Sequence, residues 1–307
     1  MNYTLHQLQI FLKITQLKSI TKASEALFLS QPAVSIQLKK FQDQFSIPLT
    51  EVVGRQLYVT DFGKEIAEAA ENILNEVQAI NYKTLSFKGQ VAGRLKISVV
   101  STGKYVMPYF LSDFTNKHRG VDLIMDVTNK QSVVKSLENN EVDFSLVSVI
   151  PEQLNLDKVE LMANKLYLVG STKKKFDRNV STKKIFETYP MLYREDGSAT
   201  RNAMEEYIAS HNIDTPKRMT LTSNEALKQA VIAGLGYSIM PIIGIKNELK
   251  NGDLEILPFK DLPMVTTWHL VWQKSKNLSP TAIAYLEFLK AEKHRIIEEN
   301  FGWYDQY

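Results

Sequence analysis

Residues 19–38 read SITKASEALFLSQPAVSIQL, and the periodicity of this stretch decides the N-terminal fold. It predicts two short helices joined by a tight turn. Ser19 stands where a hydroxyl caps a helix, and Ile20, Ala23 and Leu27 follow on one face at i, i+3 and i+7. Ser30 caps the second helix, with Pro32 in its first turn, where a missing N–H costs nothing. In that helix Val34, Leu38, Phe41 and Phe45 recur at steps of four, three and four and form the buried stripe. Gln31, Ala33, Ser35, Gln37 and Lys39 are assigned to the opposite face: small hydrogen-bonding side chains with one cation toward the far end. A helix turned only to water carries more alternating charge. Short donors and acceptors are what a helix needs to approach base edges in a major groove. The reading is a helix-turn-helix.

Outward from that stretch, Leu5, Leu8, Phe11 and Leu12 make an earlier helix its packing partner. Ser46 to Pro48 break the pattern, and Leu49 to Thr60 read as a two-stranded wing, with Gly54 in the turn and Arg55 and Gln56 at its tip. An arginine there reaches a phosphate or a narrow minor groove, although a solvated turn arginine would look the same without the helix beside it. Thr60 caps a long helix with Asp61 in its first turn. Along it Ile66, Ala70, Ile73, Val77, Ile80, Thr84 and Phe87 alternate steps of four and three, a coiled-coil seam. The alternative is one amphipathic helix lying on the next domain. Pairing with a second copy is favoured, because a lone helix-turn-helix reads too few base pairs. Gly89 to Gly93 close the helix and form a hinge.

The order Leu8, Phe11, Ser19, Ala23, Glu25, Ala26, Leu27, then Ser30-Gln31-Pro32-Ala33-Val34-Ser35, resembles the N-terminal domain of LysR-type transcriptional regulators. The resemblance runs on through Arg55, Leu57, Thr60 and Gly63 and covers essentially the whole chain. Two departures stand out. Phe41-Gln42 occupies the place of a usual Leu-Glu, and Ile47-Pro48-Leu49-Thr50 the place of a Gly and Leu-Phe before the wing. The resemblance implies a winged helix-turn-helix (residues 1–60), a linker and dimerisation helix (61–89), and a two-lobed, periplasmic-binding-protein-like α/β effector domain (90–307). Lobe I would take about 90–161 and 266–300, and lobe II about 162–265. It also implies a homotetramer on two DNA sites, bent differently when an effector closes the cleft. Gln31, Ser35 and Gln37 are expected at bases; Ser30, Lys39, Lys40 and Arg55 at phosphates; Pro32 and Ala33 complete the DNA-binding set.

Bulk properties agree with a multidomain globular chain: 307 residues, 44% hydrophobic and 23% charged, with no low-complexity run. The net charge of +3 is too mild to argue for nucleic acid, but through Tyr58 six cations face three carboxylates, which accounts for the whole excess. The absence of cysteine excludes disulfides and thiolate metal sites. Neither a signal-peptide apolar run nor a membrane-length span is evident, so a soluble, cytoplasmic protein is expected.

Beyond Gly93 strands and helices alternate. Strands are predicted at 95–100, 122–128 and 144–149, with helices at 105–118 and 131–139. A second set has strands at 166–170, 191–194, 218–221 and 237–240 and helices at 183–189, 199–211 and 224–233. A last strand, 267–272, and a helix from Thr281 to about Glu298 return to the first lobe by analogy with the family. This is the grammar of open α/β sheets, whose ligands bind at strand carboxyl ends and helix N-termini.

Hydroxyls gather at those places: Ser101, Thr102 and Gly103, then Thr128, Ser148, Ser198, Thr200, Arg201, Ser223 and Asn224. Each alone reads more simply as a helix cap; together they favour a small anionic metabolite, with Arg201 as its bidentate partner. The segment 194–201 is similar to a Gly-Ser-Gly-Thr-Arg stretch of the Calvin-cycle (RuBisCO) operon regulators of the family, with Ala199 in place of the second glycine. That leans toward a phosphorylated or multiply carboxylated effector. Gly234-Leu235-Gly236 lies between helix and strand, the wrong order for a dinucleotide, and reads as a turn. No cofactor or metal is expected: His6, His118, His211, His269 and His294 are scattered, and Ser101 has no evident base. The rival class is a stand-alone solute-binding receptor, which leaves the first 89 residues without a purpose.

Overall fold

The structure is a computed structural model describing residues 2–54, 56–87, 90–174 and 182–307, with backbone alone at 78, 79, 81–87 and 182. It divides into two units, one ending at Gln90 and one beginning at Val91.

In the first unit helix α1 (Leu5–Leu17) opens with a capping box. The Gln7 N–H donates to Thr4 Oγ1 and the Thr4 N–H to Gln7 Oε1, so two orphan donors are satisfied reciprocally. Helices α2 (Ile20–Ala26) and α3 (Gln31–Gln42) follow, capped by Ser19 and Ser30. Strands β1 (Thr50–Val53) and β2 (Gln56–Val59) pair antiparallel as the wing, and α4 (Asp61–Phe87) leaves it. Leu8, Phe11, Ile14, Val34, Leu38 and Phe41 make the core, joined by Leu49 and by Ala67 and Ala70 of α4. Leu5, expected in that core, is exposed instead; Ile10 and Ile14 carry the buried face of α1.

The two departures from the family pattern meet each other. Thr50 Oγ1 donates to Gln42 Oε1 across 2.5 Å, tying the end of α3 to the first wing strand. Phe41 is fully buried in a ring cluster with Tyr3, Phe11 and Phe45, at centroid distances of 5.7, 5.1 and 5.2 Å. The wing also meets α4 at Gly63, where a Cβ would stand 2.0 Å from the Leu49 carbonyl oxygen. Ala67 and Ala70 are spent inside this core, with Ile66 packed against it, whereas Ile73 is exposed. The N-terminal part of the expected seam is therefore intramolecular. The side chains of Thr84 and Phe87, together with Gly89, lie outside the described residues.

The second unit is built on β3 (Ala92–Val100), α5 (Met107–Lys117), β4 (Gly120–Thr128), α6 (Lys130–Glu138) and β5 (Phe144–Val147). Next come β6 (Leu156–Ser171), α7 (Thr182–Thr188), β7 (Met191–Arg194), α8 (Ala199–Ser210), β8 (Arg218–Leu221) and α9 (Asn224–Ile232). The chain ends with β9 (Ser238–Pro241), α10 (Lys246–Asn251), β10 (Leu254–Ile256), β11 (Met264–Gln273) and α11 (Pro280–Phe301).

One mixed sheet runs β10-β6-β11-β5-β3-β4, with β9 also on β6. Strands β4 and β5 flank β3 in parallel, and β11 lies antiparallel between β5 and β6. The long strand β6 pairs β11 over its first part and β9 and β10 over its last, so it runs from one lobe into the other. Strands β7 and β8 pair in parallel, and β7 meets the start of β9 through a bridge between Met191 and Tyr237. Helix α11 packs on α5, with the Phe114 and Tyr285 rings 5.2 Å apart, and Thr281 donates to the Ala92 carbonyl. A large core centred on Leu95, Phe144, Trp268 and Tyr285 and a smaller one on Phe186, Met191, Tyr193 and Met204 fill the two lobes.

Candidate functional site

Two places bring functional side chains together. The first is α3. Its buried residues are Val34, Leu38 and Phe41, so at 3.6 residues per turn the outward line is Pro32, Ser35, Ile36 and Lys39, flanked by Gln31 and Lys40. This corrects the expected face. Ala33 and Gln37 sit two residues from exposed neighbours, which is a strand's spacing, and are half-buried on the shoulder of the helix. Gln37 accepts from Gln7 Nε2 at 3.2 Å. The Ser30 hydroxyl accepts from the Ala33 N–H as the N-cap. Ile36, absent from the expected set, is 54% exposed, and stepping i, i+3, i+4 from Pro32 would have found it. Arg55 lies outside the described residues.

The second place is a small, partly open cleft between the lobes. From the first lobe come Val100, Ser101 and Thr102, then Asn129 and Lys130 where β4 passes into α6. From the second come Arg194, Glu195, Ser198, Ala199 and Thr200, at the end of β7 and the start of α8. Ser101 and Thr102 belong to a 3-10 turn, Ser101–Tyr105, that packs down because Gly103 has no side chain. A Cβ on Gly103 would lie 2.5 Å from Val99 Cγ1 and 2.7 Å from Leu146 Cδ2. Ser198 is the N-cap of α8, yet its hydroxyl makes no capping bond.

Arg194 is the buried cation of this cleft, 3% exposed. Its Nε and Nη2 donate to the Glu195 carboxylate, both at 2.7 Å, and Nη2 lies 3.4 Å from the Ser101 hydroxyl. Nη1 donates to Asn224 Oδ1, and Asn224 Nδ2 reaches Ser101 at 3.5 Å. The guanidinium thus joins both lobes, held by one carboxylate and two neutral acceptors.

Arg201, the expected anion partner, faces elsewhere. Its Nε bonds Glu205 and its Nη1 pairs with Asp196, both at 2.8 Å, and Nη1 also reaches the Arg194 carbonyl. The Glu205 hydrogen bond, with Asp196 beside it, raises its pKa further and commits the charge to these carboxylates. Arg201 braces the loop that carries Arg194. Ser223 accepts from the Ala226 N–H as a plain cap, while Thr128 ends β4 and Ser148 follows β5, both outside the cleft lining. Arg194 went unassigned in the sequence because a charged residue closing a buried strand reads as a boundary; its place in an otherwise apolar MLYR run was the available signal. Among the described residues no group of His, Asp or Glu could hold a metal ion, and no helix is long and apolar enough to cross a membrane.

Residues 5–64 match the family model "Bacterial regulatory helix-turn-helix protein, lysR family", and residues 88–293 match "LysR substrate binding domain". The chain belongs to the LysR family of transcriptional regulators. This LysR regulator is 35% identical to the RuBisCO operon transcriptional regulator of Allochromatium vinosum, over 96% of this chain and 98% of that one. It is 32% identical to the HTH-type transcriptional activator CmpR of Synechocystis sp., over 96% and 97% of the two chains. A regulatory domain of Synechocystis CcmR, solved in complex with 2-PG, is 29% identical with a TM-score of 0.61, covering 65% of this chain and 97% of its own. The full-length regulator CbnR, solved with its target DNA, shares the fold at a TM-score of 0.71 and 17% identity, over 94% and 99% of the chains. The winged helix-turn-helix and two-lobed α/β domain of a LysR regulator are therefore present, and the function is DNA-binding control of transcription.

Proposed function

We propose that this regulator senses a small anion at Arg194 and relays its binding to DNA read by α3. Residues 1–60 would hold operator DNA, 61–89 pair two copies, and 90–307 bind the effector, within a cytoplasmic homotetramer that catalyses no reaction. The observation that carries the effector class is the buried guanidinium at the lobe boundary, with Lys130 and the first turn of α8 beside it. Two cations and a helix N-terminus against the single Glu195 carboxylate favour an anion with planar or tetrahedral oxygens. The 2-PG bound by the CcmR domain has that chemistry. Exposed Ile73 on α4 supports pairing through the later part of that helix.

Such an effector acts only by favouring one lobe arrangement over another. The test is thermal unfolding of the full chain with 2-phosphoglycolate and with an uncharged analogue. At a hundredfold excess over Kd the anion should add about 2.7 kcal/mol of apparent stability. The uncharged analogue should add none, and Arg194→Lys should lose most of the gain. The reading fails if no phosphorylated or carboxylated metabolite shifts unfolding while operator binding is intact.

A further inference from the structure

We propose that Ile36 reads the methyl group of a thymine in the major groove, an inference that rests on α3 being the DNA-reading helix. Ile36 is 54% exposed and stands in the outward line of α3, between Pro32 one turn before it and Lys39 and Lys40 one turn after. The core residues Val34, Leu38 and Phe41 lie on the other side, so Ile36 serves no packing role within α3. A helix face meant for water is better filled by Lys, Glu or Gln, since a β-branched side chain lowers helix propensity. The same branching holds χ1 in one rotamer, which makes Ile36 a rigid apolar probe.

The surroundings say what it probes. Within α3 the outward line carries two lysines, and its one nearby carboxylate, Asp43, stands at the C-cap a turn beyond Lys39, so a polyanion is the partner it favours. Of the groups that base pairs present in the major groove, the thymine C5-methyl is the apolar one. Cytosine at that place has only a hydrogen on C5, so the apolar contact with the isoleucine is lost. Ile36 therefore supplies preference for thymine over cytosine, next to hydrogen bonds from Gln31 and Ser35.

The experiment removes that methyl and nothing else. A duplex is selected from a random pool with the full chain, and each thymine in it is replaced in turn by deoxyuridine. Wild type should weaken about fourfold at one thymine of each half-site, the factor expected for burying one methyl-sized group. Ile36→Ala should bind more weakly and show no further loss at those thymines, while Ile36→Val keeps the discrimination. Unfolding curves on both variants establish that the domain is intact. Equal losses in wild type and Ile36→Ala, or no loss at any thymine, overturn the proposal. If wild type selects no sequence at all, the DNA-reading assignment itself falls, which is a separate result.

Discussion

Gln7 Nε2 donates to Gln37 Oε1 across 3.2 Å, and that bond decides which end of the Gln37 amide faces out. The Thr4 N–H donates to Gln7 Oε1 at 2.9 Å, so Gln7 turns its amide nitrogen to Gln37, and Gln37 answers with its carbonyl. In the proposed complex with DNA, Gln37 on the shoulder of α3 would have only its amide donors left for purine N7 or O6 atoms or a phosphate, which weakens a two-ended grip on adenine.

Gln7→Glu keeps the acceptor for Thr4 N–H but gives Gln37 a carboxylate, which turns its amide nitrogen inward. Stability should change by less than about 0.5 kcal/mol, whereas Gln7→Ala should cost about 1 kcal/mol through the lost cap. Urea unfolding separates the two. Binding selection with Gln7→Glu should return an altered base preference; an unaltered one removes Gln37 from the contacts.

Gln31→Ala and Lys39→Ala should fail differently. The first weakens specific binding by roughly 1–3 kcal/mol and spares random DNA. The second weakens both and lowers the salt slope by about one. Shift assays at several salt concentrations check this, and matching losses on operator and random duplexes would end the division of labour.

Within the cleft, Glu195 occupies the guanidinium face that an anion needs. Glu195→Gln should tighten anion binding severalfold, and Arg194→Lys should weaken it by about tenfold or more through loss of the fork. Arg201→Ala should leave anion affinity within about twofold, costing at most ~1 kcal/mol of stability through its partly exposed pairs. Calorimetric titration decides; a large affinity loss at Arg201 would return the anion to that side chain.

His211 should titrate above the ordinary imidazole range, raised by its 3.0 Å bond to Asp261 and by the Tyr207 carbonyl. Because the folded pKa exceeds the unfolded one, the stabilisation is complete below about pH 6.5 and fades as pH rises through the folded value. Proton NMR of the ring checks it, with Asp261→Asn expected to bring the value back down.

Gly63→Ala should destabilise the first unit by about 1–3 kcal/mol, because the new methyl meets the Leu49 carbonyl at the base of the wing. Thermal unfolding of the full chain measures it.

Much of this was legible along the chain because its signals are local. Ser19, Ser30 and Thr60 cap helices where their hydroxyls predict, and the strands at 191–194 and 218–221 fall at the expected residues. The first half of β6 was not legible. Its stretch Asp157–Lys165 mixes charged and apolar residues, and only pairing with β11 makes it a strand. The α3 face was misassigned at Ala33 and Gln37 by spacing, and Leu5 by composition.

From sequence alone came the helix-turn-helix, the wing, the alternation of strands and helices, and the family, since capping and periodicity act between residues a few positions apart. Only the tertiary structure decided that Arg194 rather than Arg201 faces the cleft, that Gln42 and Thr50 hydrogen-bond each other, and that Gln7 orients Gln37. Those outcomes depend on contacts between elements distant along the chain. Both guanidiniums pair with carboxylates close in sequence, Glu195 and Glu205, and it is the approach of Ser101 and Asn224 from distant parts of the chain that sets Arg194 at the lobe boundary.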